Sequence, residues 1–118
     1  MNGPHQAWRG KPAGASANKY RAVKTTIGTE TFDSKAEANR WTMLRLMQRA
    51  GEISDLCRQA KFPLYVGDWL IGLYVADFAY RRGGKLVAED VKGVKTPLFN
   101  WKALHFRAQY GFDIEVVR

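Results

Sequence analysis

The spacing of apolar positions changes along the chain and divides it into segments. Over residues 19–32, Val, Thr and Tyr alternate loosely with polar residues and break at Gly28, which predicts a small hairpin. The period then lengthens: Trp41, Leu44 and Met47, with Leu46 beside them, form an apolar stripe of helical spacing. Asp33 and Ser34 precede this stripe and Glu37 follows Ser34 by three. Gly51 stands beyond the basic residues Arg45 and Arg49. That is a capping box at one end and a glycine stop at the other, so a helix is expected between them.

Alternation of period two returns afterwards. Residues 61–66 read as a strand despite Pro63, which implies an edge position or a bulge. Residues 69–81 and 85–91 read as two longer strands joined by a tight turn at Gly83-Gly84. Thr96-Pro97 supplies an N-cap and a first-turn proline for a second helix, with Trp101, Leu104 and Ala108 expected inward and Gly111 as the stop. Residues 112–117 form a last strand. The order is helix, three antiparallel strands, helix, strand, with the final strand joining after a helical crossover. An α/β sandwich with a mixed sheet is the expected architecture.

Composition narrows the class. At 118 residues, with 46% hydrophobic and 13% aromatic residues, the chain fits one small domain and is not a disordered polymer. A single cysteine, Cys57, leaves no disulfide framework and no multi-cysteine zinc site. No basic-then-apolar leader opens the sequence and no stretch is long enough to span a bilayer, so a cytoplasmic protein is expected. Nineteen Lys and Arg against eleven Asp and Glu give a net charge of +8, which favours a polyanionic partner such as nucleic acid. Five of those positive charges (Arg9, Lys11, Lys19, Arg21, Lys24) precede the first acid, Glu30. Residues 1–18, rich in Gly and Pro, read as a flexible basic arm ahead of a single domain over 19–118. The arm is either an idle terminus or a phosphate-touching extension.

The chemistry lies on the hairpin closed by Gly83-Gly84. A two-residue turn there places Asp77 across from Asp90 and Glu89 across from Phe78, so Asp77 and Asp90 share a face. Lys92, two positions on, shares it too. A loop one residue longer would exchange Asp90 for Glu89. Opposed like charges are destabilising by up to about 1 kcal/mol unless a cation lies between them or one acid is protonated. Two carboxylates with the Val91 carbonyl nearby offer hard oxygen ligands suited to Mg²⁺ or Mn²⁺. Lys92 would then stand beside the metal, placed to act on a water or a phosphate. The plainer alternative is a solvated hairpin face with a salt bridge between Lys92 and one aspartate. Asp33-Ser34-Lys35 repeats the acid-x-Lys triplet at a helix start, where it has no opposed acid.

These residues resemble the PD-(D/E)XK nuclease superfamily. Asp77 looks like its first metal-binding acid, Asp90-Val91-Lys92 like its (D/E)XK triplet, and Glu37 like the acid many members carry on the first helix. Four blocks in order resemble, more narrowly, a compact phage and prophage family of uncharacterised function placed in that superfamily: Phe32-Asp33-Ser34-Lys35-Ala36-Glu37, Gly51-Glu52-Ile53-Ser54-Asp55-Leu56, Tyr74-Val75-Ala76-Asp77-Phe78 and Glu89-Asp90-Val91-Lys92-Gly93. The likeness spans residues 19–117, with Ala76 where the superfamily's name has proline. It implies a restriction-endonuclease-like core, Mg²⁺ or Mn²⁺ as cofactor, and DNA as substrate. Single minimal domains of that superfamily include Holliday junction resolvases, so structure-selective cutting of branched DNA in phage recombination, by a homodimer in the host cytoplasm, is the expectation. The opposing expectation is a non-catalytic DNA-binding or partner-docking module of the same fold, and RNA stands as a third.

Glu37 also has a simpler role as the partner in the capping box. Gln59 and Lys61 alternate on one strand face and either approach the site or are ordinary exposed residues. Lys102 and His105, three apart on the second helix, are either DNA-backbone contacts or a solvated face. Trp41 and Trp101 sit at core spacing and are expected to pack inside.

Overall fold

A computed structural model describes residues 24–28, 30–91 and 95–118. The expected arm over 1–18, the start of the first hairpin and Lys92 all lie outside the described residues. The elements are β1 (Thr25–Ile27), β2 (Glu30–Phe32), α1 (Lys35–Arg49), β3 (Ser54–Val66), β4 (Trp69–Arg82), β5 (Lys85–Val91), α2 (Pro97–Tyr110) and β6 (Glu115–Val117). β1 and β2 form a two-stranded sheet of their own. The other four strands form one sheet in the order β3-β4-β5-β6, antiparallel except for the parallel β5–β6 pair. This is the mixed sheet with a helical crossover that the order of periods predicts.

Both helix boundaries follow from their caps. Ser34 is extended and its Oγ accepts the Glu37 N–H at 3.1 Å. The far end closes by a Schellman arrangement in which Glu52 N–H donates to the Met47 carbonyl and Gly51 N–H to that of Gln48, with Gly51 at φ +83°. Thr96 caps α2 in the same way, through Phe99 N–H. Replacing Ser34 by Ala removes one satisfied donor and is expected to lower stability by about 1 kcal/mol in urea denaturation, whereas Ser34→Asp should preserve it.

One helix packs on each face of the sheet. α2 contributes Phe99 and Phe106 to a core with Phe62, Leu64, Tyr74, Ala76, Ala79 and Ala88. α1 contributes Ala38 and Leu44 to a second core with Phe78, Tyr80, Val87 and Phe32 of the small hairpin. Trp41 joins this second core, stacked 5.9 Å from Phe78. Trp101 and Leu104 do not face inward: they are 78% and 71% exposed, and Ala108 is exposed as well. The inward positions of α2 are instead Phe99, Ala103, Phe106 and Tyr110, since aromatic rings already fill the space that face offers. Leu46 likewise points outward from α1.

β3 begins at Ser54, seven residues before the predicted strand, and is an edge of its sheet, as Pro63 implies. Its outer backbone groups are covered by α2. Gln109 accepts from Tyr65 N–H and donates to the Pro63 carbonyl, Tyr110 OH donates to the same carbonyl, and His105 Nε2 bonds the Tyr65 carbonyl. Such coverage blunts an edge that would otherwise pair with another chain.

The in-and-out alternation reverses midway along the β3–β4 hairpin. Ala60, Phe62, Tyr74 and Ala76 belong to the α2-side core, yet Leu56 and Phe78, at the same parity, belong to the α1 side. Pairing runs from Ala60↔Ala76 to Arg58↔Phe78 with no pairing between Gln59 and Asp77, and Gln59 has φ +52°. A left-handed residue inside a strand turns the chain over, at a cost on the order of 1–2 kcal/mol. The reversal is centred on Asp77.

Candidate functional site

The turn at Gly83-Gly84 gives the register expected of it, with Phe78↔Glu89 and Arg82↔Lys85 as pairs. Beyond Phe78 and Glu89 the strands exchange side-chain-to-backbone bonds. Asp77 N–H donates to Asp90 Oδ1 at 3.1 Å, and Val91 N–H donates to Asp77 Oδ2 at 2.8 Å. The two aspartates are thus brought together, each carboxylate held by the other strand's backbone. Asp90 is 1% exposed.

Glu37 reaches the same neighbourhood from α1. Burial, Asp90 and Glu37, in that order, push the Asp77 carboxyl up to about 8, against its ordinary 3.8. Glu37 is itself buried, and its Oε1 lies 3.9 Å from Arg58 Nη2. Arg58 also donates to Glu30 Oε1 and the Thr31 carbonyl and lies over the Phe32 ring at 4.0 Å, fastening the small hairpin beside Glu37. The Ser34 cap and the approach to Asp77 are compatible, because the cap uses the Glu37 backbone and leaves its side chain to the site.

Tyr74 also holds Asp90. Its hydroxyl donates to Asp90 Oδ2 at 2.6 Å, and burial together with Asp90 holds the phenol well above its usual range, so it remains a donor. Glu89, on the other face of β5, is 0% exposed and occupied elsewhere. Arg40 donates to both its oxygens at 2.7 and 2.9 Å, and Tyr80 OH donates to Oε2 at 2.5 Å. Burial and Glu89 raise the Tyr80 phenol to about 12. Sequence reasoning missed Tyr74, Tyr80, Arg40 and Arg58. The available signal was a polar-tipped aromatic at a buried strand position, three residues before Asp77 and again three after it.

Asp77, Asp90 and Glu37 offer only hard oxygens, a donor set suited to Mg²⁺ or Mn²⁺ and not to a softer metal. Mutual repulsion of these acids is the electrostatic condition that a divalent cation relieves. Among the described residues no three His, Cys, Asp or Glu side chains already converge as a finished metal cage. Asp77 and Asp90 are the joined pair, with Glu37 beside Arg58. Gln59 and Lys61 are exposed, and Gln59 falls at the unpaired step of the β3–β4 register. Lys102 Nζ is taken by the Leu73 carbonyl at 2.8 Å, so Lys102 and His105 both serve backbone groups of the β3–β4 hairpin. Two surface hollows of about 570 and 410 Å³ flank α2, and neither is lined by an acid of the pair. No helix among the described residues is long and apolar enough to cross a membrane.

Fold and site together define an α/β protein with a paired-aspartate centre on a mixed sheet. The chain belongs to a family described as "Protein of unknown function (DUF1064)", whose model matches residues 17–116. No curated protein and no solved structure matches the chain.

Proposed function

We propose that this protein is a Mg²⁺- or Mn²⁺-dependent endonuclease of the PD-(D/E)XK kind that hydrolyses DNA phosphodiesters, with branched DNA as the preferred form. The observation that carries the reading is the mutual confinement of Asp77 and Asp90, two carboxylates of one hairpin, where burial first and the Asp90 and Glu37 charges after it lift the Asp77 carboxyl to about 8. Such an arrangement is costly in a protein that never neutralises it. A bound divalent cation supplies charge neutralisation at a scissile phosphate and an acidified water. Asp77 and Asp90 would hold it, with Glu37 and the Val91 carbonyl as further oxygens. Lys92, the last residue of the Asp90-Val91-Lys92 triplet, would act on the attacking water or the phosphate. The excess of basic residues, net +8, supports a polyanionic substrate.

One observation favours a second reading. A protonated Asp77 hydrogen-bonded to Asp90 is self-sufficient without any metal, as a non-catalytic nucleic-acid-binding module would need. A cleavage assay separates the two. Wild type is incubated with Mg²⁺ or Mn²⁺ and a four-way junction, a flap, linear duplex, single-stranded DNA or RNA, beside Asp77→Ala and Lys92→Ala. Cutting of the junction or flap by wild type alone is the expected result. If wild type cuts none of them, or Asp77→Ala cuts equally well, the endonuclease reading is wrong.

A further inference from the structure

We propose that Tyr74 is a positioning residue of this site, fixing the Asp90 carboxylate in the orientation that a metal requires; this rests on reading Asp90 as a metal ligand. The phenol donates to Asp90 Oδ2 at 2.6 Å, while Asp77 N–H holds Oδ1 at 3.1 Å, so the carboxylate is held at both oxygens. The ring that delivers this hydroxyl is equally fixed. It lies edge-on to Phe106 at 5.5 Å and stacks on Phe62 at 6.2 Å, within the α2-side core. The chain from α2 to the acid pair is therefore continuous: aromatic packing sets the ring, the ring sets the hydroxyl, and the hydroxyl sets Asp90. Hydrogen-bonded partners behind a ligating carboxylate typically contribute 10- to 100-fold in metal affinity or activity.

The fold supplies a matched control. Tyr80, on β4, is equally buried and donates to Oε2 of Glu89, the residue that precedes Asp90 on β5 and faces the other side of the sheet. Loss of either hydroxyl removes one buried hydrogen bond to a carboxylate and leaves the ring in place. Of the two tyrosines, Tyr74 alone touches an acid of the pair.

The experiment is Mn²⁺ titration of the full chain, followed by electron paramagnetic resonance, for wild type, Tyr74→Phe and Tyr80→Phe. Circular dichroism accompanies each to verify folding. Tyr74→Phe should weaken Mn²⁺ binding 10- to 100-fold, with cleavage restored by raising Mn²⁺, while Tyr80→Phe stays within about twofold of wild type. Equal Mn²⁺ affinity in wild type and Tyr74→Phe would overturn the assignment, as would an equal loss in both variants, since that reports general loosening. If wild type itself takes up no Mn²⁺, the metal reading of Asp90 falls first and the role of Tyr74 with it, a result distinct from the other two.

Discussion

Asp77→Asn is expected to make the metal-free protein more stable at pH 8 and to remove the metal-dependent cleavage proposed for it. The Asp77 carboxyl is raised to about 8 in the fold, against 3.8 when unperturbed. Between those values the native state holds a proton that the unfolded chain has lost, so this group's stabilisation is full below about pH 4 and disappears as pH rises through 8. The facing charges are the Asp90 and Glu37 carboxylates, with the Tyr74 phenol bonded to Asp90 and the Arg58 guanidinium beside Glu37. Asparagine resembles the protonated acid: its carbonyl can accept the Val91 N–H, and its amide can donate to Asp90 where the protonated carboxyl is hydrogen-bonded. Thermal or urea unfolding without metal should show wild-type stability declining from pH 4 to pH 8 while the variant declines less. The variant should be the more stable of the two at pH 8, by several kcal/mol. Added Mg²⁺ should stabilise wild type at pH 8 and leave the variant unmoved. Cleavage by the variant should fall at least about a thousandfold, since transition-state charge stabilisation at such centres is worth several kcal/mol. A wild-type curve that rises from pH 4 to 8 with the variant's would refute the assignment of strain to Asp77.

Much of this arrangement was legible in the residues, and where legibility failed the reasons are physical. Gly83-Gly84 fixes the hairpin register because a two-residue turn admits one pairing, and that pairing puts Glu89 opposite Phe78 and brings Asp77 to Asp90. Ser34, Gly51, Thr96 and Gly111 mark helix ends because unpaired backbone groups there need those residue types. The start of β3 was hidden because Arg58, an inward cation, breaks the apolar alternation that identifies a strand. Its guanidinium is half-buried over Phe32 and bonded to Glu30. The exposure of Trp101 and Leu104 was hidden for the opposite reason. α2 carries apolar residues around most of its circumference, so spacing alone does not choose a face, and Phe99 and Phe106 win through the aromatic cluster with Phe62 and Tyr74. The reversal at Gln59 and Asp77 has no pattern in a single sequence. It is a tertiary compromise that keeps one helix on each face of a long hairpin.

Arg40→Met is expected to lower stability by about 3–5 kcal/mol, a larger loss than that from any surface charge. Glu89 is wholly buried, and Arg40 supplies two of its three donors, at 2.7 and 2.9 Å, with Tyr80 as the third. Removing the guanidinium leaves an acid that must either carry an unpaired charge out of contact with water or take up a proton. Replacing both partners removes that penalty, so Arg40→Met with Glu89→Leu should recover most of the loss, and urea denaturation of the full double-mutant cycle reads the coupling directly. A loss below about 1 kcal/mol in the single variant would show that the pair is solvated and does not brace the fold. The pair also has a geometric consequence. Arg40 lies one helical turn after Glu37, and Glu89 immediately precedes Asp90, so the bridge ties α1 to β5 at the one level where both carry an acid of the site. Buried ionic contacts contribute little net stability over apolar packing, but they tolerate few alternative registers. The double replacement should therefore restore stability without restoring the rate of the proposed metal-dependent cleavage, because apolar packing lets α1 slide where a bidentate bridge does not.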